Sequence, residues 1–430
     1  MFPHAVGALN ECDDLLTRGL RGPPKWYSRS VVAPGFIAIG SGPAGLSAAE
    51  TFRSKHPRIP VRILTTDPAL PYAKPPLSKA YLCGREAKLD LHSAGWFARN
   101  DVELIRGITV DHIDLSRQEV VTEGGRRYPY WHLMLGCGAN AIPLRVPGGE
   151  AALSLRSFAD AVVLRMAARS ADSAVVIGGG LIGCEAAACL AGGGVPTTIV
   201  AAESVPLQRR FGEQVGERVA KILSDNGVRF IGSTAITDID DTHVHLDSGA
   251  TLEGDVVVSA TGVRPDPHLA EAAGLDTSDG RIVVDEHMHT SARNVYAAGD
   301  VALAYNVTAG RRIRAEHWRD AAQQGRVAGL SAAGQPAAWS KVPEFSCTIG
   351  ESTLKYRGWG IDYDRSRLVD HRDGFTVYYE SGDELVGILT LNADDDYRRA
   401  ELTRLRAGAC AADRRYSAPG PPAHSEPPSS

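Results

Sequence analysis

Cysteine is scarce and odd in number, seven in 430 residues, and no two of them form a C-x-x-C. That argues against a disulfide-framed secreted scaffold and against a four-cysteine iron–sulfur site, and it points to a reducing compartment. A positive excess is missing too: 46 Lys and Arg against 51 Asp and Glu leave a net charge of −5. Proteins that neutralise a phosphate backbone need the opposite balance, so no nucleic-acid partner is expected. Long uninterrupted apolar runs are absent. The most apolar window, residues 174–195, is broken by Glu185 and two glycine runs, and it reads as buried strand, turn and helix rather than a membrane span. The first twenty residues include Glu11, Asp13 and Asp14, unlike the acid-poor character of an export or transit leader. A cytoplasmic location without membrane partners is expected.

Glycine, by contrast, is abundant: 45 residues, about one in ten, against a usual ~7%. Apolar residues at 43% and charged residues at 23% are enough to build real cores. The chain runs one theme twice. An apolar strand, Phe36–Ile39, leads into GSGPAG (Gly40–Gly45) and an Ala-rich helix; Ala174–Ile177 leads into GGGLIG (Gly178–Gly183) and another. A second strand follows each, Val61–Leu64 and Thr197–Val200, and each copy closes on a glycine turn, LMLGCG (Leu133–Gly138) and VVVSATG (Val256–Gly262). A segment Ile282–Asp300 then returns, and alternating pieces such as FTVYYE and LVGILTL after Val342 suggest a small α/β cap. The fold class is α/β: two Rossmann-like dinucleotide-binding domains plus a small α/β C-terminal interface domain.

A strand feeding G-x-G-x-x-G and a helix has a mechanical logic. The first glycine makes the tight turn, the second lets backbone approach a pyrophosphate, and the third packs helix on strand. The pyrophosphate then sits on free N–H groups at the helix start. One such loop is weak evidence; two in the same strand–helix frame imply two dinucleotides, and the usual pair is a flavin and a nicotinamide.

Three further stretches carry a resemblance: DPALPYAKPPLSKAYL (Asp67–Leu82), TSARNVYAAGDVAL (Thr290–Leu303) and RAEHWRDAAQQGR (Arg314–Arg326). With the loops, they make the chain from about Phe36 to about Gly408 resemble the FAD-dependent pyridine nucleotide reductases, in the branch that reduces ferredoxins for oxygenases. The resemblance implies a flavin domain interrupted by the nicotinamide domain. The expected division is an extension at 1–34, an FAD domain at 35–148 and 263–332, an NAD(P) domain at 149–262, a C-terminal reductase domain at 333–412 and a disordered tail at 413–430.

The resemblance also assigns roles. Gly40, Gly42, Pro43, Ala44 and Gly45 would cradle the FAD pyrophosphate, with Gly138, Gly299 and Asp300 completing the flavin side. Lys74 stands where the family usually has arginine; it keeps the charge and loses the bidentate fork. Gly178, Gly180, Leu181, Ile182, Gly183 and Gly262 would take NADH or NADPH. Trp318 is a further cofactor-binding candidate. Glu185 lies in an otherwise apolar helix start, where an unpaired carboxylate is costly. The family places the lysine of PPLSK beside it, so Lys79 and Glu185 are the expected catalytic pair; the alternative has Glu185 capping its helix and Lys79 solvated. No metal site is expected.

The ribose acids fit less cleanly. Asp67 is the candidate in the first copy, two positions after Thr65. In the second, Ala201 replaces the usual acid, Glu203 follows, and Arg209 and Arg210 lie within reach of a 2′-phosphate, so the nicotinamide preference stays open. Cys184 and Cys189 form a C-x-x-x-x-C inside one helix; residues five apart there have Cα atoms roughly 8–9 Å apart, beyond the ~7 Å limit for a bridge. They read as core thiols. Cys83 and Cys137 have no second cysteine close in sequence, and a dithiol oxidoreductase is not expected.

Electrons would then leave to a ferredoxin or similar iron–sulfur protein, and indirectly to an oxygenase. Arg311, Arg312, Arg314, Arg319 and Arg326 offer either a docking surface for an acidic partner or a solvated charged face. The cap begins VPEFSCTIG (Val342–Gly350), with Ser346 where the family carries tryptophan. That leaves direct action on a small molecule or oxygen as the alternative, and a binding module with slow reduction as a third. The protein is expected to be a monomer or homodimer.

Overall fold

Residues 32–400, except 241, 361 and 362, are described by the computed structural model. The expected tail lies outside them, as does the expected extension apart from its last residues. The described residues from Pro34 onward belong to one unit.

Strand β1 (Gly35–Ile39) is five buried residues, apolar toward both faces, as a central parallel strand requires. It pairs in parallel with β2 (Val61–Thr65), which pairs with β3 (Val102–Arg106). On its other edge β1 pairs with β4 (Arg127–Leu135). The order β3-β2-β1-β4 reverses direction between β1 and β4, and open α/β sheets gather ligands beyond the strand ends at such a point. The second sheet repeats this order. Strand β5 (Ala174–Ile177) lies between β6 (Thr197–Val200) and β8 (Val256–Ser259), with β7 (Val228–Ile231) beyond β6. Strand β9 (Val295–Ala297) then rejoins the first sheet, pairing with β4 with Val295 opposite Leu133. The chain therefore leaves the first sheet, builds the second and comes back.

The C-terminal piece opens on β10 (Glu344–Ile349), the edge of a five-stranded antiparallel sheet. Among the described residues one short helix, Asp394–Arg399, accompanies it.

Three helices position the site. Helix α1 (Pro43–Lys55) follows β1 with proline at its first turn, where the missing N–H is no loss. Helix α2 (Leu181–Gly192) follows β5; residues Gly183–Leu190 are all buried, and a helix apolar all round belongs in a core. Helix α3 (Trp318–Ala332) lies on α1 at backbone distance: a Cβ at Gly325 or Gly329 would overlap the carbonyl of Ala44 or Ala48. Among the described residues no helix is long and apolar enough to cross a membrane.

Candidate active site

The two glycine loops share one construction. Gly40 turns at φ +99°, where a Cβ would collide with the Gly136 carbonyl; Gly178 turns at φ +113° against the Ala260 carbonyl. The third glycines, Gly45 and Gly183, rest on the carbonyls of Gly40 and Gly178. The middle glycines behave differently. Gly42 and Gly180 are the N-caps of α1 and α2, no side chain caps either helix, and a Cβ on either would meet nothing within 4 Å. Each helix thus presents bare N–H groups to open space, which is a seat for an anion.

A cavity of about 1680 Å³ joins the first loop (Gly40, Gly42, Pro43 and Ala44) to Lys79 and to the start of α2 (Leu181, Ile182 and Glu185). Asp67, Lys74, Gly138, Gly299, Asp300 and Trp318 also line it. Gly178, Gly180, Gly183, Glu203, Arg209 and Gly262 lie outside its lining. Asp300 is held by Arg156 at 2.9 Å, and the same guanidinium donates to the Ala139 carbonyl. Gly299 N–H donates to the buried Gln324 amide, which ties the Gly299–Asp300 turn to α3. Burial and the neighbouring Arg156 push the Lys74 ammonium down to about 8. Both Asp67 oxygens are engaged, one by Ala69 N–H and one by the Tyr72 hydroxyl.

Lys79 and Glu185 meet at 2.8 Å, 106 positions apart in sequence. Glu185 is 2% exposed. Its other oxygen accepts the Ser78 hydroxyl at 2.5 Å, and Thr348 N–H donates to the first at 3.0 Å. Three groups from two separate parts of the chain, the Ser78–Lys79 turn and Thr348, therefore compensate one buried charge. Lys79 sits in a short π-helical turn, Leu77–Tyr81, and departs from helical geometry within it (φ −120°, ψ −115°). Removing one partner of such a pair costs ~3–5 kcal/mol because it leaves a buried charge uncompensated.

The cysteines correct the expectation of unpaired thiols. Cys189 is bonded to Cys83 as a disulfide with Cα atoms 4.8 Å apart. The helical argument against Cys184 holds, since that thiol is free and buried. The partner comes instead from a turn packed across the helix. Neither bonded cysteine lines the cavity. Burial pushes the free thiols of Cys184 and Cys347 upward and that of Cys137 to about 12, so these three are not thiolates at neutral pH.

The remaining wall comes from the start of α3 and from β10. His317, Trp318, Phe345 and Ser346 all line the cavity. Phe345 stacks on His317 with ring centroids 4.0 Å apart, and the Arg210 guanidinium lies over the Phe345 ring. Burial and Arg210 hold His317 well below its usual range, so its ring is neutral. Ser346 is exposed at the position of the missing tryptophan, yet Trp318 and Phe345 keep the wall aromatic. Asp320, in the first turn of α3, is fully buried, and neither oxygen meets a donor at hydrogen-bonding geometry. Burial pushes its carboxyl up to about 7, softened by the nearby Glu344 N–H. The arginines read as a docking face are partly spent: Arg314 pairs with Asp279, Arg319 with Glu344, and Arg311 donates to the Trp359 carbonyl.

A family model described as pyridine nucleotide-disulphide oxidoreductase matches residues 36–325. The chain belongs to that family. It is 32% identical to a rubredoxin-NAD(+) reductase of Pseudomonas putida, over 76% of this chain and 88% of that protein. It is also 32% identical to the ferredoxin–NAD(+) reductase component of an anthranilate 1,2-dioxygenase system from Burkholderia cepacia, over 73% and 80%. The crystal structure of putidaredoxin reductase in covalent complex with putidaredoxin superposes with a TM-score of 0.81 at 29% identity, covering 85% of this chain and 92% of that one.

As a member of the pyridine nucleotide-disulphide oxidoreductases, the chain is a flavin- and nicotinamide-dependent oxidoreductase, and its residues fit that chemistry. Two uncapped helix starts with side-chain-free space beside them suit two pyrophosphates. Arg156, His317, Phe345 and Asp320 escaped the sequence reading. Arg156 lies in a loop with no motif; Phe345 stood beside Ser346, where only the missing tryptophan drew notice. Glu203 pairs with Arg209 at 3.3 Å, so the acid and one of the two arginines expected near a ribose engage each other.

Proposed function

We propose that this oxidoreductase is FAD-dependent and passes electrons from NAD(P)H to a small [2Fe–2S] ferredoxin that serves an oxygenase. Residues 35–148 and 263–332 would form the flavin domain, 149–262 the nicotinamide domain and 333–412 the acceptor-facing domain, in a cytoplasmic monomer or homodimer. The observation that carries the reading is the single cavity running from the first glycine loop to Lys79, Glu185 and the first turn of α2. Its relatives' names, with rubredoxin, ferredoxin and a dioxygenase system, support the acceptor class.

Bound flavin supplies two-electron uptake from a nicotinamide and one-electron release to an iron–sulfur centre. The protein's part is positional and electrostatic. The N–H groups after Gly42 hold one pyrophosphate, with Lys74 and Arg156 adding positive charge along the same wall. Those after Gly180 hold the other. Lys79, fixed by Glu185, places an ammonium in the cavity wall next to the nicotinamide helix, where it stabilises negative charge that develops on reduction. Glu185 keeps that ammonium aimed, and Ser78 and Thr348 keep Glu185 in place. NADH is the favoured donor, because Glu203 pairs with Arg209 while His317 and Phe345 engage Arg210, the two cations a 2′-phosphate would use.

Anaerobic stopped-flow mixing with NADH and separately with NADPH tests this. Rapid bleaching of the flavin band by NADH, followed by reduction of added ferredoxin, is the expected outcome. A flavin neither nucleotide reduces would defeat the reading. Exposed Ser346 favours one rival: rapid NADH-driven oxygen consumption without ferredoxin transfer would identify a direct oxidase.

A further inference from the structure

Cys83 and Cys189 repeat the Lys79–Glu185 pair one step further along both segments. Each cysteine lies four positions beyond its ion-pair neighbour, so both pairs have the same separation of 106 positions. The Cys189 sulfur lies 3.4 and 3.3 Å from the carbonyl oxygens of Ser78 and Lys79. The disulfide therefore fastens the turn that carries Lys79 to the helix that carries Glu185, immediately behind the lysine's own backbone. It lies off the cavity lining. Its approach is from outside: Cys83 is partly exposed and is followed by exposed Gly84, Arg85 and Glu86. The nearby free thiols, Cys184 and Cys347, are buried and held protonated, so neither competes as an exchange partner.

We propose that the Cys83–Cys189 bond is a thiol–disulfide exchange site for a protein dithiol, and that its state sets the alignment of Lys79 on Glu185. A thiolate of the dithiol attacks the Cys83 sulfur; the Cys83–Cys189 bond breaks and Cys189 leaves as a thiolate that takes up a proton. The second thiol of the partner then attacks the mixed disulfide, releasing Cys83, which is protonated in turn. The partner is oxidised to its disulfide, and this chain gains two electrons and two protons. The freed Cys189 S–H donates to a Ser78 or Lys79 carbonyl, and the turn keeps the ion pair and the Ser78 contact but loses its covalent tie to the helix. The oxidised form is the faster one, because the lysine is pre-set. A displacement of a positioning group by about 1 Å can cost up to ~10²-fold, and loosening one of three ties is expected to slow flavin reduction by about five- to tenfold.

The effect on rate rests on the proposed role of Lys79 and Glu185; the bond itself does not. Full-length holoprotein is alkylated without reductant, digested and mapped by mass, before and after treatment with a reduced thioredoxin. The expected result is one Cys83–Cys189 peptide pair, lost on reduction and restored by oxidised glutathione. Failure to form this pair, even after oxidised glutathione, overturns the proposal whatever the enzyme does. Stopped-flow reduction by saturating NADH is then compared for the oxidised, reduced and reoxidised protein and for Cys83→Ser and Cys189→Ser. Slowing on reduction, recovery on reoxidation and a slow rate in both variants support the switch. A merely structural staple would lower the melting temperature and leave the rate at saturation unchanged, which overturns the switch and leaves the reductase reading standing. Flavin that NADH fails to reduce in every state removes both, while the mass map still reports the bond.

Discussion

The two glycine loops are nearly the same object in different surroundings. Both turn on a glycine at positive φ against a neighbouring carbonyl, and both leave the helix start uncapped beside open space. The first opens into a large cavity with Lys74, Arg156 and Asp300 on its wall; of the second, only Leu181 and Ile182 reach that cavity. On the proposed reading, a cofactor on the first loop would be enclosed as a resident group, whereas one on the second would come and go. The loops share their turn and bare helix start; what differs is the wall each one faces.

Breaking each loop in turn exposes that difference most strongly. Gly45→Val drives a side chain into the Gly40 carbonyl, and the expected product is protein purified without its flavin band. Gly183→Val makes the equivalent collision with Gly178, yet flavin content should stay near normal while the KM for NADH rises by about tenfold or more. Equal flavin loss in both variants would refute the division of labour. Lys79→Met tests the point where the two halves meet: flavin stays bound and its reduction at saturating NADH slows by ~10²-fold or more, read by stopped flow.

Asp320→Asn probes stability rather than chemistry. Burial holds the Asp320 carboxyl near 7, well above its value in the unfolded chain, so the folded state resists ionisation. The contribution of Asp320 to stability is therefore intact below about pH 4, declines as pH rises from there to about 7, and is level above that. The loss is up to about 4 kcal/mol, and the asparagine variant should lack it, melting higher than wild type at pH 8 and no higher at pH 4. The smallest effect belongs to Glu203→Ala, which frees Arg209 and should shift the NADPH-to-NADH ratio of kcat/KM upward by about three- to tenfold. An unchanged ratio would show that Arg209 does not face the 2′-position.

Much of the framework was readable from local pattern. The short strands around both loops fall where the apolar runs end at glycine, because such runs can only be buried centrally and glycine alone tolerates the turn. Glu185 announced itself as a charge inside an apolar helix. Arg156 gave no such signal, since its value lies in reaching Asp300 from a loop 144 residues earlier. The arginine run near α3 misled in another way: a charge seen in sequence carries no mark of the Asp279 or Glu344 that offsets it.

By itself, then, the sequence determined the doubled strand–glycine–helix scheme and its family, because apolar runs that end at glycine are a local pattern. Only the tertiary structure decided that one loop opens into the shared cavity, that Phe345 and Trp318 complete a wall lacking its tryptophan, and that Cys83 meets Cys189. The offset of four shared by the cysteines and the ion pair was visible in the sequence. It acquires meaning only once the Lys79 turn lies across α2, because a contact over 106 residues is set by how distant segments pack, which no local pattern encodes.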